Sequence, residues 1–273
     1  MDDVDDTDDI DARESLLLEV AREGGELALE SFRQDLAVET KKGPMDAVTA
    51  VDRAVQHRIV ERITEQFPED RIVGEEDDAA KQVPDSGIAW VIDPIDGTNN
   101  YVAGDRRWAT SVAVVEAGDP RLAVNYLPAM DERYVAASDE ATRNGSSIQV
   151  SNTAAATEFT IDPVFGLSQV ERRALADAAE RIVTEFGDLR RVGSGQTTLS
   201  MVASGELDAA VSTVELSPWD TIAGAFLVHQ AGGTVTDLSG DRWRHDSEGL
   251  IASNGVAHDE LVDAFDPLEE QEQ

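Results

Sequence analysis

The chain has 273 residues and a formal net charge of −34, with 56 acidic against 22 basic side chains and no cysteine. That length suffices for a large core, no apolar run is long enough for a membrane span, and the lack of cysteine excludes a disulfide framework, a thiolate metal site and a cysteine nucleophile. So anionic a surface repels phosphate backbones, so no nucleic acid polymer and no membrane is expected as a partner.

Six aspartates among the first ten residues are the opposite of the basic start of a secretory signal, and the chain is expected in the cytoplasm. Residues 1–11 and 266–273 read as acidic, poorly ordered tails. A first helix is predicted from Ala12 to Phe32, with Leu17, Val20, Ala21, Gly24, Leu27, Ala28 and Ser31 on one face. Gly24-Gly25 inside it is read as a close helix crossing. A second helix is predicted from Ala50 to Gln66, with Val51, Val55, Ile59 and Ile63 at four-residue spacing and Pro68 ending it. From Ile72 to Val150 short apolar runs broken by Gly, Pro, Asp and Asn predict an antiparallel meander. After Ser151 strands alternate with helices near Ser168–Glu185, Thr197–Ser204 and Trp219–Ala231, which predicts a second, mostly parallel sheet. The organisation expected is an N-terminal α+β subdomain over residues 12–152, carrying the main metal motif, and a C-terminal α/β subdomain over residues 153–265.

A disordered acidic chain does not fit the 41% of hydrophobic residues in periodic order. Adaptation to a salt-rich cytoplasm does: at about 1 M salt the Debye length is about 3 Å, and carboxylate repulsion is screened. Only Lys41, Lys42 and Lys81 are lysines, an imbalance similar to that in proteins of salt-accumulating halophilic archaea.

The most informative segment is Asp93-Pro94-Ile95-Asp96-Gly97-Thr98, directly after the strand-like run Ile88 to Ile92. Magnesium is held by one or two carboxylates together with substrate phosphate. Pro94 fixes a bend through which Asp93, Asp96 and the Ile95 carbonyl can converge. Gly97 and Thr98 then open a short helix-like segment whose free N–H groups can hold a phosphate. Glu75 and Asp220 extend this to a carboxylate cluster that bound cations would neutralise. His57, His229, His245 and His258 are scattered without metal-ligand spacing, and none is expected to be catalytic.

With Asp46-Ala47-Val48-Thr49, Ile72 to Glu76, Gly193-Ser194, Trp219 to Gly224, Ala231-Gly232-Gly233 and Ala252 to Gly255, this segment makes an ordered series. Over residues 12–265 the series resembles the inositol monophosphatase family of magnesium-dependent, lithium-sensitive sugar phosphatases, whose archaeal members include fructose-1,6-bisphosphatases. The resemblance implies a mixed α and β, layered α-β-α-β-α sugar-phosphatase fold with an antiparallel N-terminal sheet and a mostly parallel C-terminal sheet. It also implies a homodimer and about two or three Mg2+ ions per active site. Asp93 would bridge two ions, Glu75 and the Ile95 carbonyl completing one site and Asp96 and Asp220 the other. Glu75, Thr98 and Asp46 would be catalytic, Thr98 and Asp46 orienting the attacking water. Gly97 and Thr98 would bind phosphate, and Asp96, Gly193, Ser194, Gly195 and Glu215 the substrate alcohol. The segment Ser212 to Pro218 departs from the animal inositol-binding pattern, so inositol monophosphate and fructose 1,6-bisphosphate stand level as expected substrates. The alternatives are 3′-phosphoadenosine 5′-phosphate, or a catalytically silent relative that binds metal and phosphate.

Overall fold

The structure is a computed structural model that describes residues 3–34, 38–40, 47–76, 79–137, 140–166 and 168–266. In chain order the elements are α1 (Asp3–Ser31), β1 (Val38–Thr40), β2 (Ala47–Thr49), α2 (Ala50–Gln66), β3 (Arg71–Gly74), β4 (Ile88–Asp96), α3 (Thr98–Ala103), β5 (Ala109–Glu116), β6 (Asp119–Leu127), β7 (Glu132–Ala137), β8 (Glu140–Arg143) and β9 (Ser146–Ser147). There follow β10 (Thr160–Pro163), α4 (Gln169–Glu185), β11 (Asp188–Leu189), α5 (Gly195–Ala203), β12 (Ala209–Ser212), α6 (Pro218–Gln230), β13 (Thr234–Thr236), β14 (Leu250–Ser253) and α7 (His258–Phe265).

Side-chain alternation on the strands dictates how these elements stack. In β4, Trp90 and Ile92 join a core with Leu17, Val20 and Ala21 of α1 and Val55, Ile59 and Ile63 of α2. Ala89 and Val91 face the other way, onto a core that holds Leu199 of α5 and Ile222 and Leu227 of α6. Ala210 and Ala252 of the second sheet close that same core, while Ile161, Val211 and Ile251 point outward to Ile182 of α4 and Leu261 of α7. The result is five layers, α-β-α-β-α, as expected, with α5 and α6 between the sheets. A Cβ on Gly24 would lie 2.9 Å from Ile59 Cδ1, and one on Gly25 2.4 Å from Tyr126 Cδ1. Both glycines are therefore packing residues.

The first sheet has the order β3-β4-β5-β6-β7-β8-β9 and is antiparallel except for the parallel β3–β4 pair. The second has the order β11-β10-β12-β14-β13. Its β10 pairs in parallel with β11 and β12, but β14 is antiparallel to both β12 and β13. This corrects the mostly parallel sheet expected from sequence: the sheet is mixed. No described helix lies between β13 and β14, and a parallel return would need such a crossover. The expected boundary at residues 152/153 falls between β9 and β10.

At the N-terminus, the expected tail is helical from Asp3 onward. Arg13 anchors this end through two bonds to the buried Asp70 carboxylate, of 2.8 and 2.9 Å. Residues 267–273 of the expected C-terminal tail lie outside the described residues. Among the described residues no helix is long and apolar enough to cross a membrane.

Candidate active site

In a regular strand, residues three apart point to opposite faces, so Asp93 and Asp96 should diverge. They do not, because β4 bulges between them. Asp93 pairs with Ser111 and Asp96 with Ala109, which leaves Pro94 and Ile95 opposite Thr110 alone. The extra residue resets the alternation: Ile95 joins Trp90 and Ile92 in the core beneath α1 and α2, and Asp96 returns to the face of Asp93. Proline suits the bulge because it has no N–H to leave unpaired, and the Pro94 carbonyl accepts a 2.9 Å bond from Thr110 Oγ1.

Gly97 follows at φ +87°, and a Cβ there would sit 2.8 Å from the Cβ of Ser194. Only glycine lets the loop before α5 come this close. Ser194 caps α5, and its hydroxyl donates to Asp96 Oδ2. The amides of Gly195 and Gln196 donate to the two Asp96 oxygens at 3.1 and 2.8 Å. Asp96 is therefore an anion at a helix start. The polar groups of Ser194 and Gly195, expected to face the substrate alcohol, are committed to Asp96 in this structure. Gly193, at φ +83°, packs beside Asn100, whose amide donates to the carbonyls of Val192 and Arg107.

Asp220 comes from the first turn of α6, after Pro218 at its start. Glu75 follows β3 and is held by its backbone: its amide donates to the Ile92 carbonyl at 3.3 Å, and its carbonyl accepts from Lys81 at 3.0 Å. The buried Gln56 of α2 clamps the neighbouring Glu76 backbone at both N–H and C=O. Asp93, Asp96 and Asp220 each place a carboxylate oxygen within 4.8 Å of the others, which brings together both halves of the chain.

This grouping is electrostatically costly. Burial, then the charges of Glu75, Asp96, Asp220 and Asp52, push the Asp93 carboxyl far above the usual carboxylate range. Burial, Glu75 and Asp96 do the same to Asp220 against an opposing contribution from Ser217. Burial lifts Asp96 to about 6, even though Ser194, Gln196 and Gly195 pull it down. Asp93 Oδ1 is buried with no hydrogen-bond partner among the described residues. An orphaned carboxylate oxygen amid the carboxylates of Glu75, Asp96, Asp220 and Asp52 is what a hard divalent cation would satisfy, so the donor set fits magnesium.

Thr98 begins α3 with its hydroxyl 3.1 Å from the Ile95 carbonyl and 3.3 Å from Asp52 Oδ1. The aspartate beside Thr98 is thus Asp52, fully buried on α2. Asp46, to which the sequence reading gave that place, lies outside the described residues. The signal for Asp52 was present: Asp52, Val55, Gln56, Ile59 and Ile63 share the helical stripe that faces the core, and all five are buried. A carboxylate on such a stripe needs a reason. Glu215 is exposed in the connection between β12 and α6. Of the histidines, His258 is bound on both nitrogens to Ser253 and Thr236 in the second sheet, a structural role.

The five layers and the acid cluster on a bulged strand define a phosphatase of the layered sugar-phosphatase class. The model of the inositol monophosphatase family matches residues 9–270, and the chain belongs to that family. It is 31% identical to the inositol-1-monophosphatase of Bacillus subtilis, over 89% of this chain and 92% of that one. It is 34% identical to the fructose-1,6-bisphosphatase/inositol-1-monophosphatase of Thermotoga maritima, over 93% and 96%. Nus factor SuhB of Escherichia coli is 31% identical over 92% and 97%. Among solved structures, the Thermotoga maritima IMPase superposes with a TM-score of 0.84 at 34% identity, covering 97% of this chain and 99% of that one.

Proposed function

We propose that the chain is a Mg2+-dependent phosphomonoesterase that hydrolyses a small sugar or polyol phosphate, inositol monophosphate or fructose 1,6-bisphosphate. The observation that carries this reading is the orphaned Asp93 Oδ1 within the Asp93/Asp96/Asp220 group. Asp93, Asp96 and Asp220, with Glu75 and the Ile95 carbonyl, would hold the metal. When bound, magnesium supplies charge for the phosphoryl oxygens, a lowered pKa for water and stabilisation of the leaving oxygen.

The chain's own groups do the rest. Thr98 Oγ1, with its proton directed to Asp52 or the Ile95 carbonyl, keeps lone pairs that can orient a water toward phosphorus. As the water loses a proton to Thr98 Oγ1, the threonine proton passes to Asp52, a buried carboxylate whose negative charge that proton neutralises. Asp52 takes here the role expected for Asp46. The amides at the start of α3, from Thr98 on, have no intrahelical acceptors and can receive a phosphate oxygen. A relative named as an inositol-1-monophosphatase and another named as a fructose-1,6-bisphosphatase/inositol-1-monophosphatase support a substrate of this class.

Phosphate release from inositol 1-phosphate and fructose 1,6-bisphosphate, with magnesium or with chelator in molar KCl, tests the reading. Turnover should need magnesium, and Asp93→Asn should lower it by about 10²-fold or more. Binding of magnesium and phosphate without turnover would leave instead a catalytically silent relative.

A further inference from the structure

The metal reading above underlies a second one, about Gln196. This residue is fully buried at the second position of α5. Its amide donates to Asp96 Oδ2 at 2.8 Å, and its side-chain Nε2 donates to the carbonyl of Trp219, the residue before Asp220, at 2.6 Å. Its Oε1 accepts from the Gly224 amide at 2.8 Å and from Asn125 Nδ2 of β6 at 3.0 Å. One side chain therefore joins α5, α6 and the first sheet, and its two donors reach the residues that carry or adjoin two of the three clustered aspartates.

The ordinary explanation for a buried amide is that it satisfies polar groups that would otherwise lack partners. That does not account for the choice here. The Trp219 carbonyl and the Gly224 amide both belong to α6 and stand on either side of Asp220, so the side chain holds the stretch of helix that carries this carboxylate. Gln196 accepts from one of these groups and donates to the other, which bonds α6 to α5 at both points. Close contacts limit any slack in the junction: a Cβ on Gly195 would lie 3.0 Å from the Asp220 carbonyl, and one on Gly224 would lie 2.4 Å from Leu199 Cβ.

We propose that Gln196 is a positioning residue for the metal site, fixing the separation and orientation of Asp96 and Asp220. Removing the side-chain amide would let α6 shift against α5 and spread the two carboxylates, while Asp93 on its bulge stays in place.

The test is calorimetric titration of the full chain with magnesium in molar KCl, for the parent, Gln196→Met and Gln196→Ala, each also in an Asp220→Asn background. The thermal midpoint in chelator reports the fold separately. Gln196→Met should weaken magnesium binding about tenfold, within the range of coupling inside one network. It should have little further effect once Asp220 is already Asn, because the pair it sets is then broken. In turnover, kcat should fall at fixed magnesium with KM nearly unchanged. Equal magnesium affinity in parent and Gln196→Met, or the same loss in both backgrounds, would show that Gln196 only packs the junction. Should both Gln196 variants be unfolded in chelator, Asn125→Ala, which removes one bond to Oε1, must give a smaller shift of the same sign; no shift overturns the proposal. A parent that binds no magnesium overturns the metal reading itself, a result distinct from an unaffected Gln196 variant.

Discussion

Acid should displace magnesium from this site well above the usual titration range of aspartate. Asp96 is lifted by burial to about 6 from an ordinary 3.8, against the bonds from Ser194, Gln196 and Gly195. A metal ion needs the carboxylate ionised, so protons and magnesium compete. From about pH 7.5 to about pH 5, the proton term at a group of pKa about 6 grows from about 1 to about 11, so magnesium affinity should fall about tenfold, or about 1.4 kcal/mol, from Asp96 alone. Asp93 and Asp220 are raised in the same direction and should make the fall steeper. In the metal-free protein the raised carboxyl contributes stability that is fully present below the unfolded value of 3.8 and lost as pH rises through about 6. The metal-free protein should therefore weaken over that window while the magnesium-loaded protein strengthens. Calorimetric titration at both pH values, in buffers of different ionisation heat, would give affinity and protons released together. An affinity that stays flat between them, with no proton released, would mean that magnesium binds elsewhere.

Asp52→Asn and Thr98→Val should each lower turnover by about 10²-fold while leaving magnesium affinity within about twofold; initial rates and calorimetry on the two variants check this. Lithium should inhibit under saturating substrate, because a small hard cation suits the Asp93/Asp96/Asp220 oxygens; unchanged rates at high millimolar LiCl would count against that. With a charge of −34, the thermal midpoint should drop as KCl falls, because carboxylate repulsion reaches over about 3 Å at 1 M but about 10 Å at 0.1 M. A midpoint flat across that range would remove the case for salt adaptation.

Much of the site was legible because its signals are local. Asp93 and Asp96 alternate with Ile92 and Ile95 in a way that only a bulged strand can satisfy, and proline marks the bulge. Helix α2 followed from apolar spacing and α4, α5 and α6 from the alternation of strands with helices, and Ser168 with Glu171 forms a capping box at the start of α4. The rest depends on contacts distant in sequence. Whether Ser194 and Gly195 face a substrate or hold Asp96 is decided by how the second half of the chain docks on β4, which no local pattern encodes. The direction of β14 depended on the missing crossover between Thr236 and Leu250, a clue that strand patterns alone do not weigh. Asp52 was overlooked although Asp52 and Gln56 interrupt the apolar stripe of α2, because polar residues near a helix start pass for solvent-facing ones.

The central claim is that aspartates from both halves of the chain hold one metal centre. Anomalous diffraction from crystals grown with Mn2+ in place of Mg2+ tests it most directly. The expected result is a peak about 2 Å from carboxylate oxygens of Asp93 together with Asp96 or Asp220, and its loss or displacement in Asp220→Asn crystals. Peaks confined to residues of the first half, or none at the Asp93 carboxylate, would contradict it.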